Sequence, residues 1–148
     1  NTEGLLKSSQ EHHKAMSSMF ERSAALRENV SWLGELPDPK YRSLLAGANF
    51  LWHAGLIDNG TFSVIEAASL GVPALSSDYP AMREIDANYG LNLTWMDPNS
   101  SRSMALQLKY MERSANDRRL LLPSREQLAL HSVENLSHSY WKEIRTCM

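Results

Sequence analysis

One span, Asp58 to Ile85, reading DNGTFSVIEAASLGVPALSSDYPAMREI, constrains this chain more than any other. Asp-Asn-Gly is a turn sequence, because Asn and Asp tolerate left-handed backbone and Gly adopts it freely. The residues from Thr61 to Leu70 read as a helix that Gly71 ends. Pro73–Ser76 follows as a short strand, then the polar loop Ser77–Pro80 and a short helix near Ala81–Ile85. Loop, helix, strand, loop and helix in this order form the repeating unit of an α/β fold with a parallel sheet. The same span carries two acids, Asp58 and Glu66, eight positions apart. A helix N-terminus presents unpaired N–H groups and the positive end of its dipole, so it can hold phosphate. A carboxylate one or two turns further on can reach a sugar hydroxyl. That pairing suits a nucleotide-sugar more than a bare nucleotide.

The flanking chain repeats the pattern. Residues 5–28 read as an amphipathic helix with Leu5, Leu6, Met16, Met19, Phe20 and Leu26 on its apolar side. Val30–Leu33 reads as a short strand and Gly34 as a tight turn. Asp38 suits an N-cap and Pro39 the first position of a helix that runs to Gly47. Asn49–Trp52 reads as the next strand, apolar enough for a sheet covered on both faces. Residues 53–60 form a loop at its carboxyl end, the edge where open α/β sheets bind ligands. Leu91–Trp95 reads as a further strand and Asp97–Ser101 as a turn and cap. Helices are expected over 101–116 and 124–145, with Pro123 between them. The expected fold class is α/β, a Rossmann-like parallel sheet flanked by helices.

Composition removes several alternatives. The 148 residues suffice for one domain with a real core, and 43% hydrophobic content is ordinary. Net charge is −2 and no basic stripe points to a nucleic-acid partner. Arg118-Arg119, the densest basic spot, reads as a solvated helix face. Cys147 is the one cysteine, which fits a reducing compartment. No apolar run approaches the roughly 18–20 residues of a membrane span. The chain opens at Asn1 without Met and is expected to be a piece of a longer protein. Asn29, Asn59, Asn92, Asn99 and Asn135 each begin an Asn-x-Ser/Thr triplet. Asn92 falls inside an expected buried strand, so the triplets read as chance in a Ser-rich chain.

Metal and nucleophile chemistry find no signature. His12-His13 would diverge by about 100° on a helix. His131 and His138 sit seven apart on one expected helix, too far for a paired metal site. No Cys-x-x-Cys, Walker loop, Gly-x-Ser-x-Gly or Asp-x-Asp occurs.

The ordered landmarks Asp58, Glu66-Ala67 and Gly71-Val72-Pro73 resemble the signature of the retaining GT-B glycosyltransferases, the glycosyl transferases group 1 family. Val30–Gly34 and Asp97-Pro98 resemble that family's flanking strand-to-Gly turn and late Asp-Pro pair, so the resemblance covers roughly residues 30–125. The chain departs from the pattern in places. Asp58 stands where the family usually has Glu, Asn59 and Thr61 where it commonly has Gly, and Ala54-Gly55 where it has Pro-Ser.

The resemblance implies roles for individual residues. Glu66 would accept hydrogen bonds from the ribose hydroxyls of the nucleotide, a task suited to a carboxylate with two acceptor oxygens. Asp58 would hold hydroxyls of the transferred sugar. Asn59, Gly60, Thr61 and Phe62 would present the loop and its backbone N–H groups to diphosphate and sugar. Gly34 to Pro37 would border the base. Glu84 would position backbone, through a salt bridge with Arg83 or another base. His53 and Ser76 lie at strand ends and read as structural.

The implied protein is the donor-binding, C-terminal domain of a two-domain GT-B glycosyltransferase, residues 1–148 forming a single such domain. Whether the first strand–helix–strand unit of that domain is present stays open, since nothing before Asn29 reads as a strand. The resemblance implies transfer without an essential metal or cofactor, the donor being a nucleotide-sugar, with a GDP-sugar slightly favoured. It further implies an acceptor domain elsewhere in the same protein and a cytoplasmic location, including the inner face of the membrane. Bacterial cell-surface polysaccharide synthesis is the expected setting. Two alternatives stay open: a degenerate, non-catalytic transferase module, and a nucleotide-sugar epimerase of the same architecture.

Overall fold

The computed structural model describes residues 11, 14–55 and 62–146. It divides between Leu36 and Pro37 into two compact units. In the N-terminal unit, helix α1 covers residues 14–22 and α2 covers Ala24–Asn29. The sequence predicts one helix here; Ser23 breaks it. Its backbone is extended and its hydroxyl accepts from the Leu26 N–H at 3.3 Å, so it caps a new helix. Phe20 and Trp32 meet with ring centroids 5.3 Å apart. Val30–Leu33, expected as a strand, carries no strand pairing among the described residues, and Val30, Trp32 and Leu33 are exposed. Apolar pattern alone does not make a strand; its N–H and C=O groups need a ladder partner.

The second unit is the α/β body. Among the described residues, β1 (Leu51–His53), β2 (Ala74–Ser77) and β3 (Thr94–Met96) form one sheet in the order β1-β2-β3. Both ladders are parallel. Helices α3 (Asp38–Ala46), α4 (Ser63–Ser69), α5 (Pro80–Tyr89) and α6 (Ser101–Arg119) surround it, followed by α7 (Arg125–Ala129) and α8 (Val133–Thr146). This is the Rossmann-like parallel sheet flanked by helices that the sequence predicts.

The register explains the layers. Leu51, Ala74 and Leu75, Thr94 are ladder partners, and alternate residues along each strand point to opposite faces. On one face Leu75 and Met96 pack with Met111 of α6. On the other, Ala74 packs with Val64 and Ala68 of α4, Met82 of α5, and Leu91 and Leu93. A third cluster, Leu45, Ala67 and Val72, joins α3 to α4. β2 is buried along its whole length, as a central parallel strand should be, whereas Trp52 on β1 is exposed. Among the described residues β1 lies at one end of the sheet and leaves Trp52 exposed, so the expected cover on both faces is complete on β2 and incomplete on β1.

Several boundaries shift for local reasons. Pro37 rather than Asp38 caps α3, which places Pro39 at its second position. The expected strand Leu91–Trp95 begins instead at Thr94, because Asn92 adopts φ +54 and cannot continue a ladder. The Asn92 amide donates to the carbonyls of Gly90 at 3.0 Å and Leu121 at 2.7 Å. Asn92 is exposed in the irregular segment before β3, not buried in a strand. The expected helix 124–145 is two helices. Ser124 and Gln127 form a reciprocal capping box that starts α7, and the Ser132 hydroxyl accepts from the Asn135 N–H at 3.3 Å to start α8. His131 thus lies in the turn, against the Tyr89 ring at 4.5 Å, and shares no helix with His138.

Arg118-Arg119 is not a solvated face. Arg119 donates to the Ala48 carbonyl at 2.7 Å and Arg118 to the Asn92 carbonyl. The two cations fasten the end of α6 to the approaches of β1 and β3, a use of charge that a sequence count does not reveal.

Candidate functional site

Parallel strands bring their carboxyl ends to one edge of the sheet, and loops there are placed to bind ligands. That edge consists of His53 on β1, Ser77 on β2 and Met96 on β3, with the segments that follow them. α4 follows β1 and so opens at this edge. Its N-cap residue, Phe62, is exposed and brings no side-chain oxygen to the first turn. Val64, Ala67 and Ala68 turn inward, which leaves Glu66 exposed in that first turn.

Glu66 has a partner. The Tyr41 hydroxyl, from α3, donates to Glu66 Oε2 at 3.1 Å. Tyr41 ionises above the ordinary tyrosine range, first because burial disfavours the phenolate and then because the Glu66 carboxylate beside it does. The pair joins a helix before β1 to the helix after it, at the point where the cluster of Leu45, Ala67 and Val72 holds the two together.

A second group stands on the same edge. His53 Nδ1 and Ser76 Oγ lie 3.1 Å apart, and the Ser76 hydroxyl donates to the Ser77 carbonyl at 3.3 Å. Gly55 passes close to this ring: a Cβ there would lie 3.0 Å from His53 Cε1. The strand-end pair reads as structural from the sequence, and its contact joins β1 to β2.

The third group lies at β2 and β3. Arg83 of α5 grips Asp78 with two hydrogen bonds, 2.8 and 2.7 Å, and its guanidinium carbon lies 3.9 Å from the centre of the Trp95 ring. The Arg83 hydrogen bonds hold the Asp78 carboxyl below its usual range. Of the partners expected for Glu84, Arg83 or another base, Arg83 is not one: adjacent helical residues diverge by about 100°, and Asp78 takes its cation. Asp78, Trp95, Met96, Asp97, Pro98 and Asn99 line an open cleft of about 330 Å³. This cleft contains the expected Asp97-Pro98 turn and lies along β3, whereas Glu66 belongs to the β1 side.

The sequence-predicted residues fall into three sets. Glu66 and Phe62 stand together at the opening of α4. Gly34, with φ +64, belongs to the N-terminal unit. Asp58, Asn59, Gly60 and Thr61 lie outside the described residues, as do His12-His13 and Cys147. Among the described residues, no three His, Cys, Asp or Glu side chains gather, and no helix is long and apolar enough to cross a membrane.

Residues 10–126 match the family model described as Glycosyl transferases group 1, which is most of the chain. The chain belongs to that family. No curated protein and no solved structure matches it. Membership places this chain among the GT-B glycosyltransferases, and its parallel sheet flanked by helices is consistent with that architecture. A general role in binding nucleotide-sugars and transferring sugar fits the family.

Tyr41 escaped the sequence reading. It lies 25 residues before Glu66 and no spacing rule links the two. An aromatic residue in the middle of α3, one turn before Leu44 and Leu45, looks like core. Part of it is core, and only the tertiary packing of α3 on α4 brings its hydroxyl to the carboxylate.

Proposed function

We propose that this chain is the donor-binding, C-terminal domain of a retaining glycosyltransferase, which moves a sugar from a nucleotide-sugar to an acceptor. The observation that supports this most is Glu66: an exposed carboxylate, held by Tyr41, in the first turn of the helix that opens at the carboxyl edge of the sheet. A carboxylate there can accept from both hydroxyls of a ribose at once. Asp58 would take hydroxyls of the transferred sugar. Asn59, Gly60, Thr61 and Phe62 would supply backbone donors to the diphosphate, and Gly34 would border the base. The whole enzyme would carry its acceptor site on another domain and work in the cytoplasm or at the inner membrane face. A GDP-sugar used in polysaccharide synthesis is the favoured donor.

Catalysis would rest on donors and dipoles already aimed at the departing diphosphate and at an oxocarbenium-like centre. A domain that supplies the donor half of that arrangement should bind nucleotide and turn nothing over alone. The test is calorimetric titration of GDP, UDP and ADP, and of their sugars, into the chain and its Glu66→Ala variant. Selective binding that weakens in the variant supports the reading. Binding unaffected by Glu66→Ala, or sugar transfer by the 148-residue chain itself, contradicts it.

The departures Asp58, Asn59 and Thr61 favour one second reading, a non-catalytic module. Glu66→Ala in the full-length protein separates the two, since a module would keep its function.

A further inference from the structure

An exposed glutamate on a helix surface ordinarily samples many rotamers, and ordering it on binding opposes affinity. Glu66 is such a residue by exposure but not by contacts. Its Oε2 accepts from the Tyr41 hydroxyl at 3.1 Å. Tyr41 is itself anchored, since its ring packs on the buried cluster of Leu45, Ala67 and Val72. Leu45 lies one turn after Tyr41 on α3, and Ala67 directly follows Glu66 on α4. The hydroxyl therefore emerges from a packed seam between two helices, and the seam fixes the distance to the carboxylate.

The chemistry of the pair matters as much as its rigidity. A phenol that donates its single proton to Oε2 keeps an oxygen that can accept. Among the described residues, none donates to Oε1 of Glu66, which keeps its acceptor capacity. The pair then presents acceptors and no outward donor, which is the complement of a vicinal diol with two O–H groups.

We infer that Tyr41 is a positioning residue for Glu66, its hydroxyl holding the carboxylate where the hydroxyls of a ribose would meet it. The inference rests on the donor-site reading of Glu66 and adds to it a second residue. Tyr41→Phe keeps the ring in the seam and removes only the hydrogen bond, so the fold is retained.

The experiment is calorimetric titration of the chain with GDP, UDP and their 2′,3′-dideoxy counterparts, using wild type, Tyr41→Phe, Glu66→Gln and the double variant. Tyr41→Phe is expected to weaken binding of the ribonucleotide about three- to tenfold, the range for the net contribution of one ordinary intramolecular hydrogen bond. It should leave the dideoxy ligand unchanged. The double variant should bind no worse than Glu66→Gln, because coupled residues are not additive. A second readout is the tyrosinate absorbance of wild type minus Tyr41→Phe against pH. Tyr41 should titrate above ordinary tyrosine, and Glu66→Gln should bring it down.

Equal weakening of both ligand types by Tyr41→Phe, no weakening, or additivity with Glu66→Gln overturns the inference while the donor-site reading stands. Binding that ignores Glu66→Gln, or wild type that binds none of the four nucleotides, overturns the donor-site reading and the inference with it.

Discussion

Arg83 lies over Trp95, with its guanidinium carbon 3.9 Å from the ring centre, while its nitrogens hold Asp78. One side chain of α5 thus ties the segment after β2 to β3, and Trp95 also walls the cleft there. A planar guanidinium can stack and fork at the same time; an ammonium cannot. Arg83→Lys should therefore lose both contacts despite keeping the charge. The expected result is a changed tryptophan emission spectrum and a lower melting temperature than wild type, with Arg83→Lys closer to Arg83→Met than to wild type. Emission and melting unchanged in Arg83→Lys would show that the stack and the fork contribute nothing.

The same pair makes stability depend on pH in the acid range. Arg83 holds the Asp78 carboxyl below its usual value, by its hydrogen bonds first and its charge second. A depressed carboxyl contributes stability above its unfolded-state value, near ~3.9, and loses it as pH falls through the folded value. Both groups are about half exposed, so the contribution is small. Asp78→Asn should unfold at lower denaturant than wild type at pH 7. The two curves should converge once the pH lies below the folded value. A gap that stays constant from pH 7 to acid would mean that Asp78 acts by packing, not charge.

Arg119 offers a larger effect. Its guanidinium donates to the Ala48 carbonyl at 2.7 Å and so pins the end of α6 to the chain entering β1. A hydrogen bond to a charged donor contributes about 1.5–3 kcal/mol, and partial exposure moves the expectation to the lower end. Arg119→Ala should destabilise the unit by about 1–2 kcal/mol. Arg119→Lys should recover only part of the loss, since its ammonium sits on a shorter and more flexible stem. Urea denaturation of the three proteins measures both.

How much of this was legible beforehand depends on whether the signal was local. The α4–β2–α5 succession was readable because turn, helix stop and strand follow one another within the stretch ending at Ile85. That Glu66 sits in the opening turns of α4 was readable for the same reason. Val30–Leu33 misled because an apolar run states a preference and a ladder partner decides it. Asn92 misled because its left-handed backbone follows from two side-chain hydrogen bonds, one of them to Leu121, 29 residues away. The partners that Tyr41, Arg83 and Arg119 take were invisible for the same physical reason. Each bond depends on how elements pack, and pairwise chemistry across a fold leaves no periodic trace.

Gly71 is a case where a local signal makes a quantitative prediction. It ends α4 with φ +76, and a Cβ built there meets nothing within 4 Å. The cost of a side chain is then purely the backbone strain of left-handed geometry, about 1–2 kcal/mol for an L-residue. Gly71→Ala should destabilise by about that amount, and Gly71→Asn by less, because Asn tolerates this region. Gly47 is the control. It follows α3 in ordinary right-handed geometry, with the nearest neighbours of a built Cβ at 3.6 Å, an ordinary contact. Gly47→Ala reduces the freedom of the unfolded chain without straining the fold, so it should be neutral or stabilise by up to about 1 kcal/mol. Equal destabilisation by alanine at both positions would mean that contact, not backbone geometry, governs where α4 ends.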